Sequence, residues 1–347
     1  MRFLSLLFIG IALLVPVSSN AQGCMEGGAE EGVNVIGFIQ PEFTWKDIGS
    51  DDGSEATFAF RRARLGVTGT VPYDFSYYFM MEFSPAFEEA PCMLDGFITY
   101  TRLGDAANFS FGQFKQPFSL ERNMSYSGLY TIYRSMVVEA LAMDRDMGFM
   151  FLGDYKNKVS YRLAAMNGTG RGQPDDNKAK DWVGRVVVSP LDWLHIGGGF
   201  RYSVAPPAVA DSEEDDLYTR GGVDLQVEYK DFKLITEYIY GKDDGSYTTG
   251  GGCEGPAEVH QGSKTRDGAY AMLIWTYKNR IEPVFKYEFY NADKDAEDNK
   301  EHIYTFGCSY YFNDWTRLQV NYLRAIEDYT PAKDNDQLLV QMQIKIM

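Results

Sequence analysis

Three arginines fall within four residues at Arg61-Arg62-Ala63-Arg64. A guanidinium is a planar, permanently charged fork of N–H donors that binds phosphate or carboxylate bidentately. Rings or ladders of such groups along a wet pore select anions. The surrounding segment alternates, with Ala63, Leu65 and Val67 on one face and Arg62 and Arg64 on the other. Arg61 falls on the apolar phase. An arginine pointing into lipid at mid-depth costs about 2–4 kcal/mol, so Arg61 either sits at a rim and snorkels or marks a bulge that resets the phase. Lys115, Arg162, Arg185, Arg201, Lys286 and Arg317 share the polar phase of their own segments, and Arg122, Arg134 and Arg145 punctuate the stretch 117–145. Acids share that polar phase, among them Glu82, Asp95, Asp224, Glu228, Glu237, Glu282 and Glu288. The mixture is compatible both with an anion-preferring wall and with a general, weakly selective one.

Other chemistry finds little support. The three histidines, at 195, 260 and 302, form no triad and no metal spacing. The four cysteines, at 24, 92, 253 and 308, form no close pair, so no zinc or redox motif is present, and a Cys92–Cys253 disulfide is one open pairing. Gly197-Gly198-Gly199 lies inside a strand-like segment without the context of a phosphate loop. The acidic runs at 211–216 and 293–301 do not match a twelve-residue calcium loop. A formal charge of −16 argues against nucleic acid. These observations predict a protein that is not an enzyme and that carries no cofactor or metal.

The elements that position the arginines are legible as a rhythm. In 338–347 the even positions Leu338, Val340, Met342, Ile344 and Ile346 are apolar, while Gln341, Gln343 and Lys345 alternate with them. Successive strand side chains point to opposite faces, so one face reads as lipid and the other as lumen. Segments 75–84, 281–290 and 316–322 pass the same test, with Pro283 expected at a bulge or strand end because it cannot donate to a ladder. Sixteen strands are predicted: 33–46, 57–70, 73–84, 93–102, 107–116, 146–154, 157–167, 180–189, 192–203, 218–230, 231–241, 267–277, 280–290, 301–312, 315–325 and 337–347. The gaps between them alternate long and short, which a soluble sandwich has no reason to do and a transmembrane β-barrel does. An even strand number puts both termini on the short-turn, periplasmic side.

Composition agrees. Aromatic residues make up 15% of the chain, and the mean hydropathy is −0.31. That is too polar for a helical membrane protein and suits a barrel with a wet lumen and aromatic girdles. Residues 1–21 read as a cleaved secretory signal, with Arg2, an apolar run from Phe3 to Val17 and Ser19-Asn20-Ala21 at the cut; a lipoprotein signal ending at Cys24 is the rival. Residues 22–347 then form a single barrel domain. One long gap differs from the rest. Residues 117–145 hold Phe118, Leu120, Tyr126, Leu129, Tyr130, Ile132, Val137, Val138 and Leu141. A segment that apolar must pack on something, either inside the barrel as a constriction or on a neighbouring subunit.

The chain also resembles a family, the phosphate-selective porins O and P. The resemblance is carried by Phe60-Arg61-Arg62-Ala63-Arg64-Leu65-Gly66-Val67, by Leu94-Asp95-Gly96-Phe97-Ile98, and by Gly112-Gln113-Phe114-Lys115-Gln116-Pro117-Phe118-Ser119-Leu120-Glu121. It continues at Arg145-Asp146-Met147-Gly148 and Asn167-Gly168. It implies a sixteen-stranded outer-membrane porin, usually a homotrimer, with its third long loop folded into the pore and with Arg62, Arg64 and Lys115 as lumen or constriction cations. It further implies passive diffusion of small anions such as phosphate. The chain departs from the pattern in its acidic loops and in ending on Met347.

Overall fold

The computed structural model describes residues 32–47, 53–72, 74–87, 89–207, 215–249, 258–296, 299–327 and 335–346. The expected signal segment, Cys24 and Cys253 lie outside them. Sixteen strands follow in chain order: β1 Gly32–Asp47, β2 Ser54–Val71, β3 Phe75–Glu82, β4 Cys92–Tyr100, β5 Asn108–Lys115, β6 Arg145–Tyr155, β7 Val159–Met166 and β8 Asp181–Leu191, then β9 Leu194–Ala205, β10 Asp216–Tyr229, β11 Phe232–Thr249, β12 Glu258–Trp275, β13 Ile281–Asn291, β14 Lys300–Tyr311, β15 Thr316–Glu327 and β16 Gln337–Ile346. Each pairs antiparallel with its chain neighbours. β1 closes on β16 through pairs such as Gly37↔Ile346 and Phe43↔Val340, so the sheet is a closed barrel without an edge.

The two-residue period decides what faces where. In β8, Trp182, Val186 and Val188 are exposed while Val183, Arg185 and Val187 are buried. In β16, Ile344 and Ile346 are exposed while Gln341 and Gln343 are buried. Apolar groups on the exposed face and polar groups on the buried face invert the soluble pattern, as lipid requires. Tyr155, Trp193, Tyr229, Phe232, Trp275, Tyr277, Phe312 and Trp315 flank the short connections and are all exposed, forming the expected aromatic band at that rim. Two of those connections, Lys156-Asn157 and Lys278-Asn279, have φ between 51° and 54° at both residues. Paired left-handed residues suit a type I′ turn, here closing hairpins with three residues between their last pairs, Tyr155↔Val159 and Tyr277↔Ile281.

One expectation about strands changes, and that for Pro283 is met. The gap 242–266 is largely ladder: β11 and β12 stay paired out to Thr249↔Glu258. The added stretch, such as Lys242-Asp243-Asp244-Gly245, is polar at successive positions, so no hydrophobic alternation announces it. Pro283 sits at the third residue of β13, and the ladder between β12 and β13 begins only at Ile274↔Val284. The proline therefore lies beyond the pairing that would need its missing N–H.

Segment 116–144 between β5 and β6 carries two short helices, α1 Leu120–Asn123 and α2 Met136–Leu141, and a 3-10 turn at Tyr126–Gly128. Phe118, Leu120, Val137, Val138 and Leu141 are buried in one cluster with Ile235, Ile239, Met272 and Ile274 of β11 and β12 and with Phe97, Phe114, Met150 and Met166. The apolar residues that demanded a partner thus find it in strands of their own chain. The triple glycine of β9 has a role in that contact. A Cβ on Gly199 would stand 2.4 Å from the Phe118 carbonyl oxygen, so the backbone reaches the strand only because no side chain intervenes.

Candidate functional site

The site begins with a missing hydrogen-bond donor. Pro41 in β1 cannot give an N–H to β2, and the register slips there: Gln40 pairs with Arg62 and Pro41 with Phe60, leaving Arg61 unopposed. The bulge resets the phase. Phe58 and Phe60 stay on the exposed face, Arg62 and Arg64 are buried, and Arg61 lines the same two cavities as Arg62. Of the two placements the sequence left open for Arg61, the structure has the bulge.

Arg62 donates Nη1–H to Gln40 Oε1 at 3.1 Å and lays its guanidinium 3.5 Å from the Tyr126 ring centre. Arg134 lies 3.7 Å from the same centre. Two groups at that stacking distance from one ring centre must take opposite faces. Arg64 stands farther off, at 4.9 Å, and donates Nε–H to Glu82 at 2.8 Å. Arg61 lies 5.1 Å from the Tyr133 ring, whose hydroxyl donates to Glu42 at 2.5 Å. Burial and the Glu42 carboxylate push that phenol up to about 12, so it remains a neutral donor. The Tyr126 backbone is itself tethered, its carbonyl accepting from Gln40 Nε2 and Arg317 Nη2, each at 3.4 Å.

The other predicted cations have different partners. Arg145 grips Asp95 with Nε and Nη2, both at 2.9 Å, and also pairs with Asp144 at 2.8 Å. Arg185 grips Asp224 at 2.6 and 2.9 Å and donates to the Phe118 carbonyl at 3.3 Å. Lys115 donates to the Met124 carbonyl at 2.8 Å. Arg122 donates to the Val138 carbonyl at 2.8 Å and pairs with Glu139 at 3.1 Å. Arg134 also donates to the carbonyls of Glu121, Arg122 and Met124. Arg162 is half-buried on β7, opposite Arg185 in register, and lines neither cavity. Among the eight predicted residues, the structure brings Arg62, Arg64 and Arg134 together at Tyr126. It places Lys115 and Arg122 on the backbone of segment 116–144 and gives Arg145 and Arg185 their own carboxylates.

Two cavities meet at Arg61, Arg62 and Tyr126, of about 370 and 410 Å³. The first adds Arg134 and Lys286 and is lined by the carboxylates Glu139 and Glu288. The second adds Arg64 and Arg171, with Glu82 and Glu89. Each therefore sets four cations against two carboxylates. Among the described residues Arg62 meets no carboxylate, its hydrogen bond going to a neutral amide. A larger cavity of about 630 Å³ lies elsewhere, lined by Pro41, Phe43, Phe58, Phe60 and Met342, and is apolar.

Arg61, Arg171 and Lys286 join the cluster without having been singled out together by sequence reasoning. A signal for Arg61 was present in Pro41, but reading it requires knowing that β1 and β2 meet at that register. Arg171 comes from the connection after β7, and no pattern in the sequence aims it at β2.

The side chains that hold segment 116–144 come from well-separated strands. Glu237 of β11 accepts the Leu120 and Glu121 N–H groups at 2.9 and 3.2 Å, satisfying the first turn of α1. Glu288 of β13 accepts from Met136 N at 2.8 Å, and Asn321 of β15 from Ile132 N at 2.7 Å.

The model of the family described as phosphate-selective porin O and P matches residues 34–223. No curated protein sequence matches the chain. Solved structures share the fold at low identity. The outer-membrane channel DcaP of Acinetobacter baumannii is 11% identical, with a TM-score of 0.67, and the match covers 90% of this chain and 97% of that one. Salmonella typhi OmpF in complex with daunomycin is 11% identical at a TM-score of 0.65, over 90% of this chain and 97% of that one. The trimer form of Vibrio cholerae OmpT is 13% identical at a TM-score of 0.60, over 91% of this chain and all of that one.

Proposed function

The chain belongs to the phosphate-selective porin O and P family of outer-membrane porins, and from that premise we propose that it is a passive channel preferring small anions, phosphate among them. The single observation that carries the reading is the convergence of Arg61, Arg62, Arg64 and Arg134 on the two cavities that meet at Tyr126, with Arg62 free of any carboxylate among the described residues. Positive groups that keep their charge at a narrow, partly dry place attract anions far more than the same groups in bulk water do. Fold and family point to a channel rather than to an enzyme.

In this reading segment 117–145 folds into the lumen and narrows it. Its support is that Glu237, Glu288 and Asn321, on strands 11, 13 and 15 of a closed barrel, and Gln40, on strand 1, all hydrogen-bond to it. Lys115, Arg122 and Arg134 then act as fasteners of the constriction as much as contacts for the anion. Arg145 and Arg185 serve the wall through Asp95 and Asp224. Inserted with its short turns toward the periplasm, the barrel presents its long connections outside. It assembles as a homotrimer, a reading supported by the trimer form of the OmpT neighbour and by the apolar outer cavity with Phe58 84% exposed.

The test is the reversal potential of the purified protein in planar bilayers under a potassium chloride gradient, followed by titration with phosphate. The expected outcome is a chloride-side reversal potential and a phosphate-dependent block of chloride current. A permeability ratio near one, or a preference for potassium, overturns the anion reading in favour of a general diffusion pore. A folded barrel with no conductance makes it a plugged structural barrel, an outcome that the well-packed segment 116–144 makes worth measuring.

A further inference from the structure

The protein meets its buried arginines in different ways. Arg145 and Arg185 are held by bidentate carboxylates that cancel their charge. Arg62 is held by a ring and a neutral amide, and the same ring also carries Arg134, which backbone carbonyls and Glu139 at 3.9 Å hold as well. Their guanidiniums lie 3.5 and 3.7 Å from the centre of the Tyr126 ring, so one aromatic stands between two like charges. An aromatic quadrupole is negative on both faces, so one ring attracts both cations while adding no net charge. Stacking covers one flat face of each guanidinium and leaves the N–H edges for acceptors, which on Arg134 are mainly the carbonyls of Glu121, Arg122 and Met124. Gln40 takes one edge of Arg62. On Arg134, a residue only 4% exposed, Nη1 makes no hydrogen bond among the described residues and faces Glu139 Oε1 at 3.9 Å.

We propose that Tyr126 is the positioning residue of the pore: its ring, stacking between Arg62 and Arg134, fixes both and holds Arg62 without a carboxylate, its donor edge directed to a passing anion. The proposal rests on the anion-preferring reading above and adds the residue through which its cations act. The ring is well placed to be rigid. It starts a 3-10 turn capped by Ser125, whose side chain accepts from Ser127 N, and its carbonyl is tied to strands 1 and 15. A carboxylate in its place would hold the arginines equally well and remove the charge that the anion needs.

The hydroxyl supplies a readout that simple packing lacks. Burial works to raise the Tyr126 phenol, but Arg134 and Arg62 outweigh it and hold the group below its ordinary value, with Glu139 and Asp144 opposing them. Raising the pH therefore places a phenolate between Arg62 and Arg134, beside Arg64, and cancels part of the local charge. Phenylalanine keeps the ring and cannot ionise.

The experiment compares wild type, Tyr126→Phe, Tyr126→Leu and Arg62→Ala in planar bilayers, with potassium chloride gradients at neutral and alkaline pH. Heat-modifiable electrophoretic mobility shows which variants have a folded barrel. Tyr126→Phe is expected to keep the wild-type chloride-to-potassium ratio at neutral pH. Tyr126→Leu is expected to lose about five-fold, the effect of one unit charge at 4 Å in water-like surroundings, matching Arg62→Ala. On going alkaline, wild type loses anion preference and Tyr126→Phe loses less, because other alkaline titrations are common to both. A folded Tyr126→Leu with the wild-type ratio overturns the positioning role and leaves the anion reading standing. Equal loss in Tyr126→Phe and Tyr126→Leu assigns the effect to the hydroxyl and also overturns it. A wild type that prefers potassium overturns both readings together.

Discussion

At the scale of single residues, the partner of each arginine decides what the arginine does. Arg62 reaches a neutral amide and an aromatic face, and so keeps its charge. Replacing it with alanine is expected to lower the chloride-to-potassium ratio by about five-fold, and Arg61→Ala to lower it less, because Arg61 is the more exposed of the two. Reversal potentials check both. Arg145 differs because Asp95 and Asp144 already hold it. Arg145→Ala leaves Asp95 buried without its countercharge, a defect of the kind that costs about 3–5 kcal/mol. The expected outcome is a lower denaturant midpoint by tryptophan fluorescence, with little change in selectivity where the barrel persists. A large selectivity change at unchanged stability would move Arg145 from the wall to the pore.

At the scale of elements, two local irregularities build the site from regular strands. The Pro41 bulge turns three arginines toward one place where strict alternation would have sent Arg61 into lipid. The glycines of β9 and β12 let segment 116–144 sit against the wall: a Cβ on Gly199 would stand 2.4 Å from the Phe118 oxygen, and one on Gly268 2.8 Å from the Val137 Cβ. A backbone atom cannot yield as a flexible side chain does. Gly199→Val is therefore expected to push Phe118 off the wall and loosen α1. The predicted signature is a larger or more variable single-channel conductance with the barrel still folded. Unchanged conductance would mean that the segment does not set the width of the pore. Sequence reading found this segment by its apolar content but not the glycines opposite it, because nothing local links β9 to a residue some eighty positions earlier.

At the scale of the whole molecule, two fields compete. The chain carries a formal charge of −16, and exposed acids such as Glu89, Asp175, Asp176 and Asp295 sit on the long connections. In the proposed anion-preferring reading those acids repel anions at the mouth, whereas Arg62 and Arg134, barely exposed, attract them from within. The Debye length falls from about 30 Å at 0.01 M salt to about 10 Å at 0.1 M, so salt screens the mouth and spares the interior. Anion preference is accordingly expected to rise with ionic strength over that range, measured as reversal potential at a fixed salt ratio. A preference that falls with salt would mean that exposed charge, not the cluster at Tyr126, sets the selectivity.

The sequence alone determined the barrel. A period of two, gaps that alternate in length and lipid-facing apolar residues are imposed by the bilayer on every strand, so each strand reports the fold independently. It also picked out Arg62, Arg64, Arg134 and the segment that carries Tyr126. Tertiary structure decided which of these keep their charge. Asp95 stands fifty positions from Arg145, and Asp224 thirty-nine from Arg185. Whether an arginine meets such a carboxylate or an aromatic face depends on strand register, on one proline-made bulge and on contacts across a closed barrel. Those are long-range facts, and the period of a strand carries no information about them.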